Sequence, residues 1–291
     1  MRGILVVALA AVQVYICAPL NRFYISMNDL LHVPDAAKAG AACVLLVAMG
    51  AGCFPQSAPP RPAVYHTVDA ALADGPKVEV VSLEAPDIKE FPTALAGLPR
   101  LSKLAMRGTS VASVPPDIAR FPNLSWLDLG QTPLAALPAE IGRLSTLVYL
   151  NLDRNQLAAL PIEIGNLSGL RWLRLNGNVI EVLPETIGNC KRLERFYVAR
   201  NRLTALPAGT KDLTALTDLA LSGNQISQIP AWIGDLTNLR RLDLDGNRLT
   251  SLPAEIARLQ KLEWLRMEGN PLAPEARKAI ADALPQCQIT F

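Results

Sequence analysis

The sequence predicts an α/β solenoid: a curved horseshoe whose parallel β-sheet lines the concave face, with short helical or irregular turns on the convex face. Three observations carry this. Asparagine recurs every 23 residues, at Asn155, Asn178, Asn201, Asn224, Asn247 and Asn270. Apolar residues hold fixed places around each, as in Leu147-Val-Tyr-Leu150-Asn-Leu152-Asp-Arg-Asn155-Gln-Leu157-Ala-Ala-Leu160-Pro161-Ile-Glu-Ile164-Gly165-Asn-Leu167. Stepping back by the same period reaches Thr132, Thr109 and Pro86, still flanked by Leu127 and Leu129, Leu104 and Met106, Val81 and Leu83. A fixed period of about 20–50 residues marks a solenoid whose units touch only their neighbours. Nine units are expected over residues 78–273.

Within each unit the leucine alternation makes a short strand, leucines inward and the intervening residues outward. Parallel strands need long crossovers, and the rest of the unit supplies one. The asparagine amide holds both donors and an acceptor, so it can satisfy turn backbone that no sheet or helix reaches. Stacked, the six form a structural ladder. Thr109 and Thr132 replace only part of that bonding and Pro86 none, so the N-terminal third should be looser. Pro161 and its equivalents end the turn, and Ile164 and Leu167 cover the core from the convex side. Gly142, Gly165, Gly188 and Gly234 mark a tight bend or a close approach. The unit around Leu206 departs from this pattern, with Thr210 where isoleucine is expected and Lys211 where glycine is. Local drift explains that, or a functional notch on the convex side. Trp232 falls on the same side.

An open stack exposes apolar ends and needs caps. Residues 66–77 read as an N-terminal cap helix: Thr67 can cap it, Asp69 suits its positive end, and Gly75-Pro76 stops it. Val68 and Leu72, one turn apart, are expected to cover the first unit. Residues 274–291 read as the closing cap, a helix from Pro274 to Leu284 followed by a strand with Cys287, Ile289 and Phe291 on one face. An appended catalytic domain is not expected after it. Residues 54–65, rich in proline, read as an extended linker.

Residues 1–53 read as a targeting segment. Two apolar runs, 4–20 and 39–54, each fall short of the ~20 residues of a confident spanning helix. The stretch Lys38-Ala-Gly-Ala-Ala-Cys-Val-Leu-Leu-Val-Ala-Met-Gly-Ala-Gly-Cys53 resembles a bacterial lipoprotein signal, which implies lipidation at Cys53 and a membrane-anchored place in the cell envelope. Gly50 departs from that pattern, where leucine is usual. Met27 would make a natural start for such a signal. A conventional secreted or membrane-inserted form and a cytoplasmic protein are the alternatives.

Composition narrows the function. Net charge is +2, and outside residues 1–53 there are 25 basic and 24 acidic residues, so no basic stripe suggests nucleic acid. The two histidines, His32 and His66, lie outside the repeats, and the five cysteines show no paired spacing. No metal site, cofactor or disulfide framework is indicated. Cys190 stands in a leucine position as a small buried residue, and Cys287 is too distant to pair with it.

The pattern L-x-x-L-x-L-x-x-N-x-L-x-x-L-P-x-x-I-G-x-L resembles the leucine-rich repeat, of the Ras-suppressor-like and bacterial type. The resemblance covers about two thirds of the chain and implies a leucine-rich repeat solenoid acting as a non-enzymatic protein–protein interaction scaffold, with no catalytic residues. A cytosolic scaffold binding a small GTPase or kinase is the alternative, and an effector enzyme of the ubiquitin-ligase type a remote one. Partner recognition then belongs to the outward strand positions. Candidates are Trp126, Asp128, Tyr149, Asn151, Trp172, Arg174, Arg195, Tyr197, Asp218, Arg241, Asp243, Trp264 and Arg266. Trp126, Tyr149 and Trp172 fall in consecutive units, with Tyr197 diagonal to them and Arg154, Arg174, Arg195 and Arg200 around them. Trp, Tyr and Arg are the usual anchors of protein interfaces. Aromatics stacked along a solenoid also simply pack on one another, which is the plainer reading. The partner itself is unknown from sequence.

Overall fold

Each unit contributes one strand of three residues, because only the x-L-x core alternates before the turn begins. A computed structural model describes residues 62–291, and the segment 1–61, with the targeting and lipidation expectations, lies outside them. Eleven strands form one all-parallel sheet in chain order. They are β1 Val64–Tyr65, β2 Val80–Ser82, β3 Lys103–Ala105, β4 Trp126–Asp128, β5 Tyr149–Asn151, β6 Trp172–Arg174, β7 Arg195–Tyr197, β8 Asp218–Ala220, β9 Arg241–Asp243, β10 Trp264–Arg266 and β11 Gln288–Thr290. The nine strands β2 to β10 share one register, so that Lys103, Trp126, Tyr149, Trp172, Arg195, Asp218, Arg241 and Trp264 stand side by side. β1 is supplied by Val64 and Tyr65, which the sequence pattern places in the linker; they pair with Val80 and Val81.

The crossovers are short 3₁₀ turns, such as Ile162–Asn166 and Glu185–Asn189, each preceded by an extended proline. The proline ring holds φ near the turn's entry value and removes a donor the turn does not need. Leu150, Leu152, Leu157, Ile164, Leu167 and their equivalents are buried in one continuous core. Phe196 takes a leucine place in that core, fully buried. Cys190 is fully buried as well, and burial pushes its thiol up to about 11.

At the ends, α1 (Val68–Asp74) is capped by Thr67, whose Oγ1 accepts from Ala70 N at 3.2 Å. Ala71 is its buried contact and Val68 packs partly on the core. Leu72 is 41% exposed, contrary to the expectation that it covers the first unit. The helix has only seven residues, and its buried face is centred one position earlier. α2 (Pro274–Ala283) buries Ile280 and leads into β11, with Cys287, Ile289 and Phe291 packed on the core edge.

The asparagines join units to one another. Asn201 Nδ2 donates to Val198 O in its own unit (3.0 Å) and to Leu175 O in the preceding one (2.9 Å). Its Oδ1 accepts from Ile180 N at 3.1 Å. Asn155, Asn178, Asn224, Asn247 and Asn270 repeat the pattern. Thr132 Oγ1 reaches Leu129 O of its own turn (2.9 Å) and Asn155 Oδ1 (2.6 Å), and Thr109 reaches Met106 O (2.9 Å). Neither hydroxyl bonds the backbone of the preceding unit, so the ladder's own link to that backbone begins at Asn155.

The convex turns stack as tightly as their backbones permit. A Cβ added at Gly142, Gly165, Gly188 or Gly234 would collide with a carbonyl oxygen of the next turn. Lys211 carries such a Cβ, and its turn, Ala208–Asp212, packs closely on Glu185–Asn189 but sparsely on Ala231–Asp235. The same turn buries Thr210, whose hydroxyl has no partner.

Asn201→Leu strands the Ile180 amide in a buried turn and leaves Leu175 O and Val198 O with one asparagine donor each, from Asn178 and Asn224, in place of two. An unsatisfied buried amide costs about 1–3 kcal/mol, and we expect a loss of that size. Thr132→Asn gives the reverse, a rise in melting temperature, by providing the missing link to Met106 O. Denaturant titration and calorimetry of both variants check this; equal midpoints for Asn201→Leu and the parent would refute the ladder's role.

Candidate functional site

The outward residues of β3 to β7 form a ladder that no single unit could make, because the shared register places one strand's first residue about 4.8 Å from the next. Trp126 and Tyr149 stack face to face, centroids 3.6 Å apart and planes 9° apart. Tyr149 and Trp172 meet edge to face at 5.8 Å and 68°. Cations close both ends, with Lys103 Nζ 4.5 Å from the Trp126 ring centre and the Arg195 guanidinium 4.4 Å from that of Trp172. The run is therefore cation, Trp, Tyr, Trp, cation. Offset and edge-to-face aromatic pairs add about 0.5–1.5 kcal/mol beyond burial, and each cation–π contact about 0.5–1 at an exposed site.

Tyr149 is 7% exposed, sandwiched by its neighbours, so it braces the ladder more than it faces a partner. Trp126 and Trp172 remain half-buried and offer their outer surfaces. The plainer packing reading describes Tyr149, and the interface reading describes the two tryptophans.

The second column is held by hydrogen bonds. Asn151, 3% exposed, donates Nδ2 to Asp128 Oδ1 at 2.9 Å, and the same oxygen accepts from Gly130 N at 2.9 Å. Burial raises the Asp128 carboxyl above its ordinary value; the bonds from Gly130 and Asn151 and the charges of Arg107 and Arg174 oppose that in part. Asn151 is thus a supporting residue and contributes almost no surface. Arg174 Nε donates to Asp153 Oδ2 at 2.7 Å, and its guanidinium lies 5.8 Å from the Tyr197 ring centre. Asp153 Oδ1 also accepts from Asn176 N at 2.7 Å. Burial, then the nearby Asp218, pushes the Tyr197 hydroxyl up.

A second group lies toward the C-terminal cap. Asp218, 8% exposed, accepts from Thr217 Oγ1 at 2.7 Å and from Arg241 Nη1 at 3.2 Å. Arg241 also covers Trp264 at 4.8 Å, and Trp264 Nε1 donates to Gln288 Oε1 at 3.0 Å. Arg266 pairs with Asp245 at 2.7 Å, while Asp243 accepts from Asp245 N at 3.1 Å. Most charge here is internally matched, unlike the region around Trp172.

One feature escaped the column reading. The residue before each ladder position adopts a left-handed backbone: Gly108, Gln131, Arg154, Gly177, Arg200, Gly223, Gly246 and Gly269 all have φ between 55° and 73°. Five are glycines, for which this conformation is free of steric cost. A side-chain-bearing residue there costs roughly 1–2 kcal/mol, and Arg154 (φ 56°) and Arg200 (φ 55°) are held in it. The glycine preference at this position in five of the units is the signal that exposes Gln131 and the two arginines as exceptions.

Among the described residues no group of side chains could hold a metal ion, and no helix is long and apolar enough to cross a membrane.

With this geometry in place, comparison with known proteins defines the class. A family model described as leucine-rich repeat region matches residues 138–223, and one described as leucine rich repeat matches 230–272. Residues 138–223 and 230–272 are thus leucine-rich repeats, and the fold of the described residues is a leucine-rich repeat solenoid. No curated protein matches the sequence. Among solved structures, the ectodomain of the Arabidopsis thaliana receptor kinase GASSHO1/SCHENGEN3, in complex with CASPARIAN STRIP INTEGRITY FACTOR 2, aligns at 29% identity and TM-score 0.65. The plant peptide hormone receptor RGFR1, in complex with RGF2, aligns at 27% and 0.65. Each alignment covers 74% of this chain, which spans only 27% and 36% of those two chains. A Leptospira interrogans leucine-rich repeat protein aligns over 74% of this chain and 84% of its own, at 23% identity and TM-score 0.41.

The raised Asp128 carboxyl has a consequence for stability. Its proton is held more firmly in the folded chain than in the unfolded one, so ionisation weakens the fold. That penalty is absent below the unfolded carboxylate range near pH 4 and fully present above the folded value. Asp128→Asn keeps the acceptor for Gly130 N and is expected to melt above the parent at pH 7, the difference shrinking as pH falls toward about 4. Melting curves across that range check it; a gap that widens on acidification would contradict the assignment.

Proposed function

We propose that this chain is a non-enzymatic interaction scaffold that takes a protein partner on its concave face, at the ladder of Trp126, Tyr149 and Trp172 between Lys103 and Arg195. The single observation that carries this is the aromatic ladder itself, pre-stacked by its neighbours on rigid parallel strands. Such a surface has already lost its rotamer freedom, and a partner need not supply that ordering cost. Leucine-rich repeat proteins generally serve as binding scaffolds, and the two plant ectodomains are each described in complex with a ligand. Both descriptions support a binding role here by analogy of fold.

The candidate recognition residues divide accordingly. Trp126, Trp172, Arg174, Arg195 and Tyr197 present the contact surface; Tyr149, Asn151 and Asp128 hold it in shape. Asp218, Arg241, Asp243, Trp264 and Arg266 form the neighbouring, charge-matched part of the same face. A photo-crosslinking residue at position 172 is expected to capture the partner in the producing cell, whereas the same residue at position 162 on the convex turn is not. Equal capture at both positions, or capture only at 162, would move the site off the concave face.

The scaffold's place is proposed from the sequence around Cys53, whose preceding charge, apolar run and small residues support a lipid-anchored form in a bacterial envelope. Radiolabelled palmitate should enter the parent and not Cys53→Ser. Labelling that survives the substitution would remove the anchor from Cys53.

A further inference from the structure

The concave face is not evenly charged, and its excess cations surround the aromatic ladder. Lys103, Arg154, Arg195 and Arg200 form no ion pair with a carboxylate among the described residues. The acids of that region are already engaged: Asp128 and Asp153 accept from backbone amides and from Asn151 or Arg174, and Asp218, beside Arg195 in the register, accepts from Thr217 and Arg241. Toward the C-terminal cap the opposite holds: Arg241 and Arg266 are matched by Asp218 and Asp245.

The two rim arginines are also built against backbone preference. At φ 56° and 55° they occupy a position that is glycine in most units. A Cβ built on Gly177 would lie 3.4 Å from Arg154 Cγ, and one on Gly223 would lie 3.3 Å from Arg200 Cγ. Each arginine stem therefore leans over the following unit's bare glycine, and the missing side chain there leaves it room. Strain kept at an exposed position, where a glycine would remove it, points to a task for the side chain.

We infer that the occupant of this face is an acidic, extended polypeptide segment: carboxylates meet Arg154, Arg195, Arg200 and Lys103, and an aromatic or other flat apolar side chain lies on Trp126 and Trp172. The inference rests on the concave-face reading above and names the chemistry of its partner. Guanidinium groups suit this occupant, since their planar fork can bind a carboxylate by two parallel bonds. From Lys103 to Arg200 the face spans four strand steps, about 19 Å at ~4.8 Å per step. An extended chain at ~3.3 Å per residue covers that in about six residues.

Fluorescence anisotropy on the full chain tests it, with labelled peptides of about a dozen residues long enough to span the face. One alternates Glu and Tyr, the other Lys and Tyr; vesicles of phosphatidylglycerol provide an anionic surface without a polypeptide. The Glu-Tyr peptide is expected to bind and to be released by raised salt, with the Lys-Tyr peptide and the vesicles left unbound. The double variant Arg154→Gly with Arg200→Gly should weaken that binding about tenfold or more, a loss of at least ~1.4 kcal/mol. It should melt no lower than the parent, because glycine suits the left-handed backbone. Equal binding of both peptides, binding of vesicles alone, or undiminished binding by the double variant overturns the inference. No peptide binding together with successful crosslinking from position 172 overturns it while leaving the concave site standing; failure of both removes the site as well.

Discussion

The asparagine amide in each turn is the interaction on which the rest of the structure depends. It spans two units at once, donating to a carbonyl in its own turn and to one in the turn before, while accepting from a buried amide of that earlier unit. Leucine burial supplies most of the driving force but has no direction. The amide has direction. From Asn155 onward it ties the advance of each unit to the last, while β2 to β4 keep the same register on backbone pairing, with proline or threonine at the ladder position. Where asparagine gives way to threonine, the hydroxyl bonds its own turn's carbonyl and leaves the preceding backbone untouched. The N-terminal units are joined by backbone bonds, apolar contact and scattered side-chain bonds such as Ser102 Oγ to Glu79 O and Ser125 Oγ to Ser102 O, without the buried asparagine link.

A constant advance has costs on the outer side. The turns come so close that glycine is required where Gly142, Gly165, Gly188 and Gly234 pass the next carbonyl. Lys211 breaks that rule, and the stack loosens between its turn and the next. The unpartnered hydroxyl of Thr210 lies in the same turn. Both departures fall in one unit and on one side, while the concave strands of that unit keep register with their neighbours. The sheet tolerates local slack on the convex side because each unit's strand is held independently by its own backbone bonds.

The repeat period made the fold legible: strand, turn, ladder and both caps follow from spacing, proline placement and alternation. What the period could not show was which outward residues remain outward. Tyr149, Asn151 and Asp218 sit at exposed strand positions by alternation, yet lateral neighbours a unit away bury them. That burial depends on side-chain conformations across units, such as Trp126 lying flat on Tyr149, and periodicity carries no information on it. Leu72 failed in the same way, since a seven-residue helix can turn either of two adjacent faces inward. Val64 and Tyr65 were hidden by the prolines just before them. The role of Arg154 and Arg200 was readable in principle, from glycine at the same position in other units, but its meaning required the backbone angle.

The division of labour on the concave face follows from these constraints. A ladder one residue wide has no depth, so rigidity must come from within its own plane. Tyr149 provides it by filling the space between two tryptophans, and Asn151 provides it by fixing the Asp128 carboxylate against Gly130. The residues that lose their exposure are those that preorganise the ones that keep it. Arg174 shows the intermediate case, pinned by Asp153 yet lying beside the Tyr197 ring. Arg154 and Arg200 stand outside that scheme: no ion pair holds either of them among the described residues, and their backbone is strained. A surface whose centre is pre-stacked and whose rim keeps unmatched charge can use rigid apolar contact for affinity and adjustable guanidinium groups for selection. That separation lets a repetitive scaffold, built from nearly identical units, present one region unlike the rest.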